Sequence, residues 1–245
     1  MLGTIGQLVR QVSEAAGRVT GSARLLSAGA GRVADGSRRQ HEQSEHAAAS
    51  VEDMAANIAS VAAGAERGVA VICHPHPQHG GTMDNKVAQT LARASVALGW
   101  RSVRFNFRGV GASEGAWDEG RGEVDDALAV ISAMRRPGEP LLLAGFSFGA
   151  YVASQAAAHL PDDAKPQRLA LVGPSTQKQQ MPAVPADTVV IHGEADDVVP
   201  LSATLDWARP QALPVIVFPG VGHFFHGQLG LLKHTLVQQL RITAD

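Results

Sequence analysis

Gly145-Phe146-Ser147-Phe148-Gly149 follows the apolar run Leu141-Leu142-Leu143-Ala144 and precedes the small-residue stretch Ala150–Ala158. A short apolar run ending in glycine reads as a buried strand, and the alanine-rich stretch after it as a helix. Serine between two glycines at that junction reads as a sharp strand-to-helix turn. The glycines let strand and helix approach closely, and the serine oxygen projects above the sheet at a helix N-terminus. Ser147 is therefore a candidate nucleophile, the plainer alternative being a serine that only caps the helix.

The same alternation runs outward from this turn in both directions. Val69–Cys73, Ser102–Asn106, Leu169–Val172, Thr188–His192 and Val215–Phe218 read as further strands, and Asn85–Leu98, Glu123–Met134, Ser202–Trp207 and Leu229–Leu240 as helices. Continuous apolar strands separated by helices predict an α/β fold: a mostly parallel sheet covered by helices on both faces. Ligands of such sheets bind beyond the carboxyl ends of the strands. That places the loops after Cys73, Asn106, Ala144, His192 and Phe218 on one rim. The stretch from Gly173 to Thr188, which holds Pro174, Pro182 and Pro185, is too short for a cap domain.

A serine hydroxyl is a weak nucleophile and needs a base in reach, held in turn by a third group. Glu194, Asp196 and Asp197 follow one rim strand, and His223 follows another, directly after Gly220-Val221-Gly222. His223 is the expected base, with His226 next in line. His159 and His234 fall on helices, and His192 ends a strand. Attack on a carbonyl also requires two N–H donors for the oxyanion. One is expected from Phe148, the residue after the nucleophile. Pro75 and Pro77 have no N–H to give, which leaves His76 as the first choice for the second donor and Gln78 as the alternative. The rim residues His74, Asn106 and Arg108 are expected to face the substrate.

Other chemistries fit less well. His74, His76 and His79 have a spacing that imidazole ligands of zinc can show, but no clustered carboxylate accompanies them, and acyl transfer by serine calls for neither metal nor cofactor. Arg108-Gly109-Val110-Gly111-Ala112-Ser113 lacks the lysine and helix start of a phosphate loop. Cys73 reads as a buried strand residue.

Before Gly64–Gly68 the chain has a different character. All 13 prolines and every aromatic residue lie after that point. Ile5, Val12, Val19 and Leu26 recur every seven residues, and Val51, Met54, Ile58 and Val61 continue similar spacing after a polar break. Such a stripe predicts helices that must cover one another or another chain. Residues 1–67 are thus expected to form a helical extension able to drive homo-oligomerisation, and residues 68–245 the α/β domain.

With 45% apolar and 18% charged residues, the 245-residue chain can bury a core, and its net charge of −2 gives no basis for a nucleic-acid partner. One cysteine excludes an internal disulfide framework and fits a reducing, cytoplasmic setting. No apolar run reaches a membrane span, and Met1–Arg10 does not read as a signal peptide.

Two resemblances add to this reading. Ser50-Val51-Glu52-Asp53-Met54-Ala55-Ala56-Asn57-Ile58 is similar to the cytoplasmic signalling helices of methyl-accepting chemotaxis proteins. Residues 68–245 resemble a family of small bacterial α/β-hydrolases. The matching stretches are His74-Pro75-His76-Pro77 with Gly80–Val87, Arg104–Gly111, Gly145–Ala150, His192–Pro200 and His223-Phe224-Phe225-His226-Gly227. This resemblance implies the α/β-hydrolase fold and selects Asp196 from the three acids, giving Ser147, Asp196 and His223 as catalytic residues acting on a small acyl substrate. A non-catalytic scaffold that uses the same fold is the rival. Such proteins usually begin with an additional strand or hairpin, which the helical extension is expected to replace, leaving one sheet edge unpaired.

Overall fold

The computed structural model describes residues 59–61 and 67–241. Among these residues, seven strands form one sheet in the order β1-β3-β2-β4-β5-β6-β7. They are β1 (Ala59–Val61), β2 (Val69–Cys73), β3 (Arg101–Arg104), β4 (Leu141–Phe146), β5 (Arg168–Val172), β6 (Val189–Gly193) and β7 (Val215–Phe218). Every pairing from β3 to β7 is parallel, with Val71 opposite Val103 on one side and Leu143 on the other.

Side chains alternate between the two faces of a strand, and here each face builds its own core. Val69, Val71, Cys73, Leu141, Leu143, Leu169 and Leu171 point to one side. There they meet α2 (Arg121–Met134) through Val124, Ala127 and Ile131, and α3 (Phe148–His159) through Val152, Ala153 and Ala156. Ala70, Ile72, Leu142, Ala144, Ala170 and Val172 point to the other side. They pack against α1 (Lys86–Ala97) through Val87, Leu91 and Ala94, and α5 (Leu229–Gln239) through Leu232 and Leu236. This two-sided burial explains why the central strands are apolar at every position. The short helix α4 (Leu201–Ala208) follows β6, and Ala208 closes a small cluster with Val190 and Leu213.

The N-terminal edge differs from the expectation. Ala59–Val61 is a strand, antiparallel to β3, with Ala59 opposite Arg104 and Val61 opposite Ser102. The heptad-like spacing through Ile58 and Val61 predicted helix, but the outer edge of β3 offers backbone groups that need partners, and pairing with them overrides local pattern. The sheet therefore has a strand where an unpaired edge was expected. The rest of the expected helical extension, residues 1–58 and 62–66, lies outside the described residues, as does the chemotaxis-like stretch.

Candidate active site

β4 ends in the turn that carries Ser147. Its backbone lies at φ 57°, ψ −119°, a left-handed value that the flanking elements impose. The Ser147 amide donates to the Val172 carbonyl of β5 (2.9 Å), and its carbonyl accepts from the Ala150 amide in the first turn of α3 (3.0 Å). Two glycines make the turn possible. A Cβ on Gly145 would stand 2.1 Å from the Gly149 carbonyl oxygen, and one on Gly149 would stand 2.2 Å from that of Cys73.

Two loops from other strand ends converge on this serine. His223, in the loop after β7, places Nε2 3.0 Å from Ser147 Oγ and Nδ1 2.6 Å from Asp196 Oδ2. With Nδ1–H donating to the carboxylate, Nε2 is left to accept the serine hydroxyl proton. Asp196, in the loop after β6, uses its other oxygen to accept the amides of Val198 (2.9 Å) and Val199 (2.8 Å). Burial pushes the Asp196 carboxyl up, while His223 and these two amides together outweigh it and hold its pKa below the ordinary value. All three side chains are buried, with Ser147 8%, Asp196 7% and His223 3% exposed. The alternatives point elsewhere: Asp197 and His226 are exposed, and Glu194 accepts the Gly220 amide.

A cavity of about 400 Å³ opens over Ser147. His76 and Phe148 line it, their rings 4.9 Å apart. As the first residue of α3, Phe148 has no carbonyl one helical turn back to receive its N–H. The Gln78 amide, the alternative second donor, is taken up by His76 Nδ1 at 3.2 Å. The His76 ring is flanked by Trp117 (5.2 Å) and His79 (4.6 Å), so aromatic contacts on several sides hold the loop that carries its amide. Burial first, then the nearby His79 and Lys178, holds the His76 pKa below the ordinary value.

Three expected substrate contacts are not part of this cavity, and each has a structural partner instead. His74 is fully buried; its Nε2 accepts the Phe107 amide (3.0 Å) and its Nδ1 meets the Pro75 carbonyl (2.7 Å). Burial lowers its pKa to about 4, against the opposing hydrogen bond to Pro75. Asn106 accepts the Met83 amide (2.8 Å), tying the β3 loop to the segment before α1. Arg108 grips Asp126 of α2 through Nε and Nη2, the shortest contact being 2.7 Å. Cys73 is buried, and burial pushes its thiol up, so it holds no reactive thiolate.

The cavity also contains residues that sequence reading passed over: Ser175, Lys178, Val198, Val199 and Phe224. Ser175 and Lys178 lie outside every quoted motif, while Val198, Val199 and Phe224 fall in stretches read only for Asp196 and His223.

These features have close counterparts. The family described as serine aminopeptidase, S33, matches residues 64–189. A solved α/β serine hydrolase without lid from Xanthomonas campestris is 39% identical, covers 77% of this chain and 90% of its own, and superposes with a TM-score of 0.69. An α/β serine hydrolase homologue from Coxiella burnetii is 40% identical, covers 75% of this chain and 90% of its own, with a TM-score of 0.64. An uncharacterised protein of Rickettsia prowazekii is 40% identical over 97 residues, which span 38% of this chain and 41% of that relative.

Proposed function

This chain is an α/β-hydrolase that belongs to the serine aminopeptidase S33 family, and from that premise we propose that it cleaves an ester or related acyl bond through an acyl-serine intermediate. The observation that carries the reading is the continuous Ser147–His223–Asp196 hydrogen-bond chain, 3.0 and 2.6 Å long.

In this reading the substrate carbonyl seats beside Ser147 Oγ. His223 Nε2 takes the hydroxyl proton as the Oγ–carbon bond forms, and Asp196 stabilises the imidazolium. Negative charge gathers on the former carbonyl oxygen, where the Phe148 and His76 amides receive it. Collapse breaks the bond to the leaving group, which departs with the proton held by His223. Water, deprotonated by the same histidine, then releases the acid and restores Ser147. The partner is a small acyl compound. A non-catalytic scaffold has no use for a serine forced to positive φ beside a buried histidine and a carboxylate fixed by two amides, so the rival reading finds no support here.

Exposure to a fluorophosphonate probe tests the assignment. The protein should be labelled, and Ser147→Ala should abolish labelling together with p-nitrophenyl butyrate turnover. Labelling that survives in Ser147→Ala would sink the proposal.

A further inference from the structure

The cavity wall carries one lysine, Lys178, and no carboxylate among the described residues, and His76 and His79 line it as well. Asp196, the nearest carboxylate to Ser147 along the hydrogen-bond chain, is committed to His223 and the Val198 and Val199 amides. Lys178 takes part in none of the ion pairs between described residues. Its backbone is nevertheless held in place. The Gln179 amide donates to the Ser175 carbonyl (3.0 Å), and Thr176 Oγ1 meets Thr204 Oγ1 (3.1 Å), so Lys178 stands on a closed turn anchored to α4.

The lining falls into two contact groups. His76 packs on Phe148, its ring is 4.6 Å from His79, and Lys178 is near enough to repel its protonated form. In the other group, His223 touches Phe224 (5.1 Å), and both, with Val198, form the wall shared with a neighbouring cavity. The leaving group must lie beside His223, because that residue protonates it. With the alcohol there, the acyl chain is free to extend toward the group that holds Lys178.

We propose that Lys178 is a specificity residue and that the preferred substrates are half-esters whose acyl chain ends in a carboxylate, with an apolar alcohol as leaving group. The proposal rests on the serine-hydrolase reading above. In the reaction the ester C–O bond breaks as Ser147 Oγ bonds to the acyl carbon, and the alcohol leaves with the serine proton. Water then splits the acyl-serine to give the dicarboxylate. An unblocked peptide, whose α-ammonium needs an anionic partner, finds none in the cavity wall.

The test compares mono-p-nitrophenyl adipate with p-nitrophenyl hexanoate, which match in length and differ in terminal charge. The full-length protein should favour the adipate in kcat/KM by about fivefold at low salt, as expected of an exposed ion pair at the upper end of its range. Lys178→Ala should bring the two kcat/KM values together, Lys178→Glu should invert the preference, and added salt should erode it. If Ser147-dependent turnover occurs but the two esters are hydrolysed equally, or Lys178→Glu leaves the ratio unchanged, the Lys178 proposal is overturned and the hydrolase reading stands. If neither ester shows Ser147-dependent turnover, the hydrolase reading fails and takes this proposal with it.

Discussion

His192 Nε2 stands 3.4 Å from Asp196 Oδ2, the same oxygen that His223 engages at 2.6 Å. Its own hydrogen bond runs to the Val199 carbonyl (2.9 Å), while Nδ1 meets Thr204 Oγ1 (3.2 Å). Burial holds its pKa below the ordinary value, so it is a neutral imidazole braced between a loop and a helix. The peptide it braces belongs to the turn whose amides fix Asp196. We expect His192→Leu to lower kcat/KM for p-nitrophenyl butyrate by between about ten- and a hundredfold, since small misplacements of a catalytic group cost that much. The loss should fall on kcat. An unchanged kcat would mean that the turn holds its shape without the histidine.

Asp196→Asn should be far more severe. Oδ1 keeps accepting the Val198 and Val199 amides, so the new NH2 group faces His223 Nδ1. That forces the proton onto Nε2, which can then no longer receive one from Ser147. A fall in kcat of about 10⁴ is expected, with thermal unfolding little changed. Retention of more than a tenth of the activity in steady-state assays would show that the carboxylate does not set the tautomer.

Acid should destabilise the protein through its buried histidines. An unfolded histidine takes up a proton near pH 6.5, but His74 in the fold does so only at about pH 4. Unfolding therefore binds a proton between these values, and stability falls as pH drops through that window while staying flat above it. His74 alone accounts for about 3 kcal/mol of that loss, and His192 acts in the same direction. Urea midpoints measured from pH 7 to 4 should drop steeply for the natural protein and less steeply for His74→Gln. Parallel curves would place the acid sensitivity elsewhere.

Arg108 was expected at the substrate and is found gripping Asp126, whose side chain is 4% exposed. Arg108→Ala leaves that buried carboxylate without its counter-charge and with only the backbone amide of residue 108 to accept, so a loss of about 3 kcal/mol is expected. Activity at 15 °C, well inside the folded range, should stay within about twofold, because the guanidinium is outside the cavity. Should KM rise tenfold without a fall in the unfolding midpoint, Arg108 is a substrate contact after all.

Much of the architecture was legible because it rests on local pattern. The strands Val69–Cys73 and Val215–Phe218 agree with the sequence reading to the residue, and the helix after Ser147 begins two positions before the Ala150–Ala158 stretch read as helical. Ser147 was recognisable from the glycines on either side. His74, Asn106 and Arg108 were misplaced for a common reason: each lies on the correct rim but is claimed by a partner distant in sequence, such as Phe107 33 residues from His74. Polarity at a loop position says nothing about which way the side chain turns. Lys178 and Trp117 went unread because their importance lies in what the fold sets beside them. β1 went unread because Ala59-Ser60-Val61 becomes a strand only when β3 is there to pair with.

The dihedral angles of Ser147 carry one more consequence. Positive φ at a residue with a side chain costs on the order of 1 kcal/mol or more, and glycine escapes that cost. Ser147→Gly should therefore melt higher than the natural protein while losing all turnover. Selection for a more robust fold and selection for a working nucleophile pull in opposite directions on the same peptide. A homologue that has given up the reaction would be free to relax at this position first.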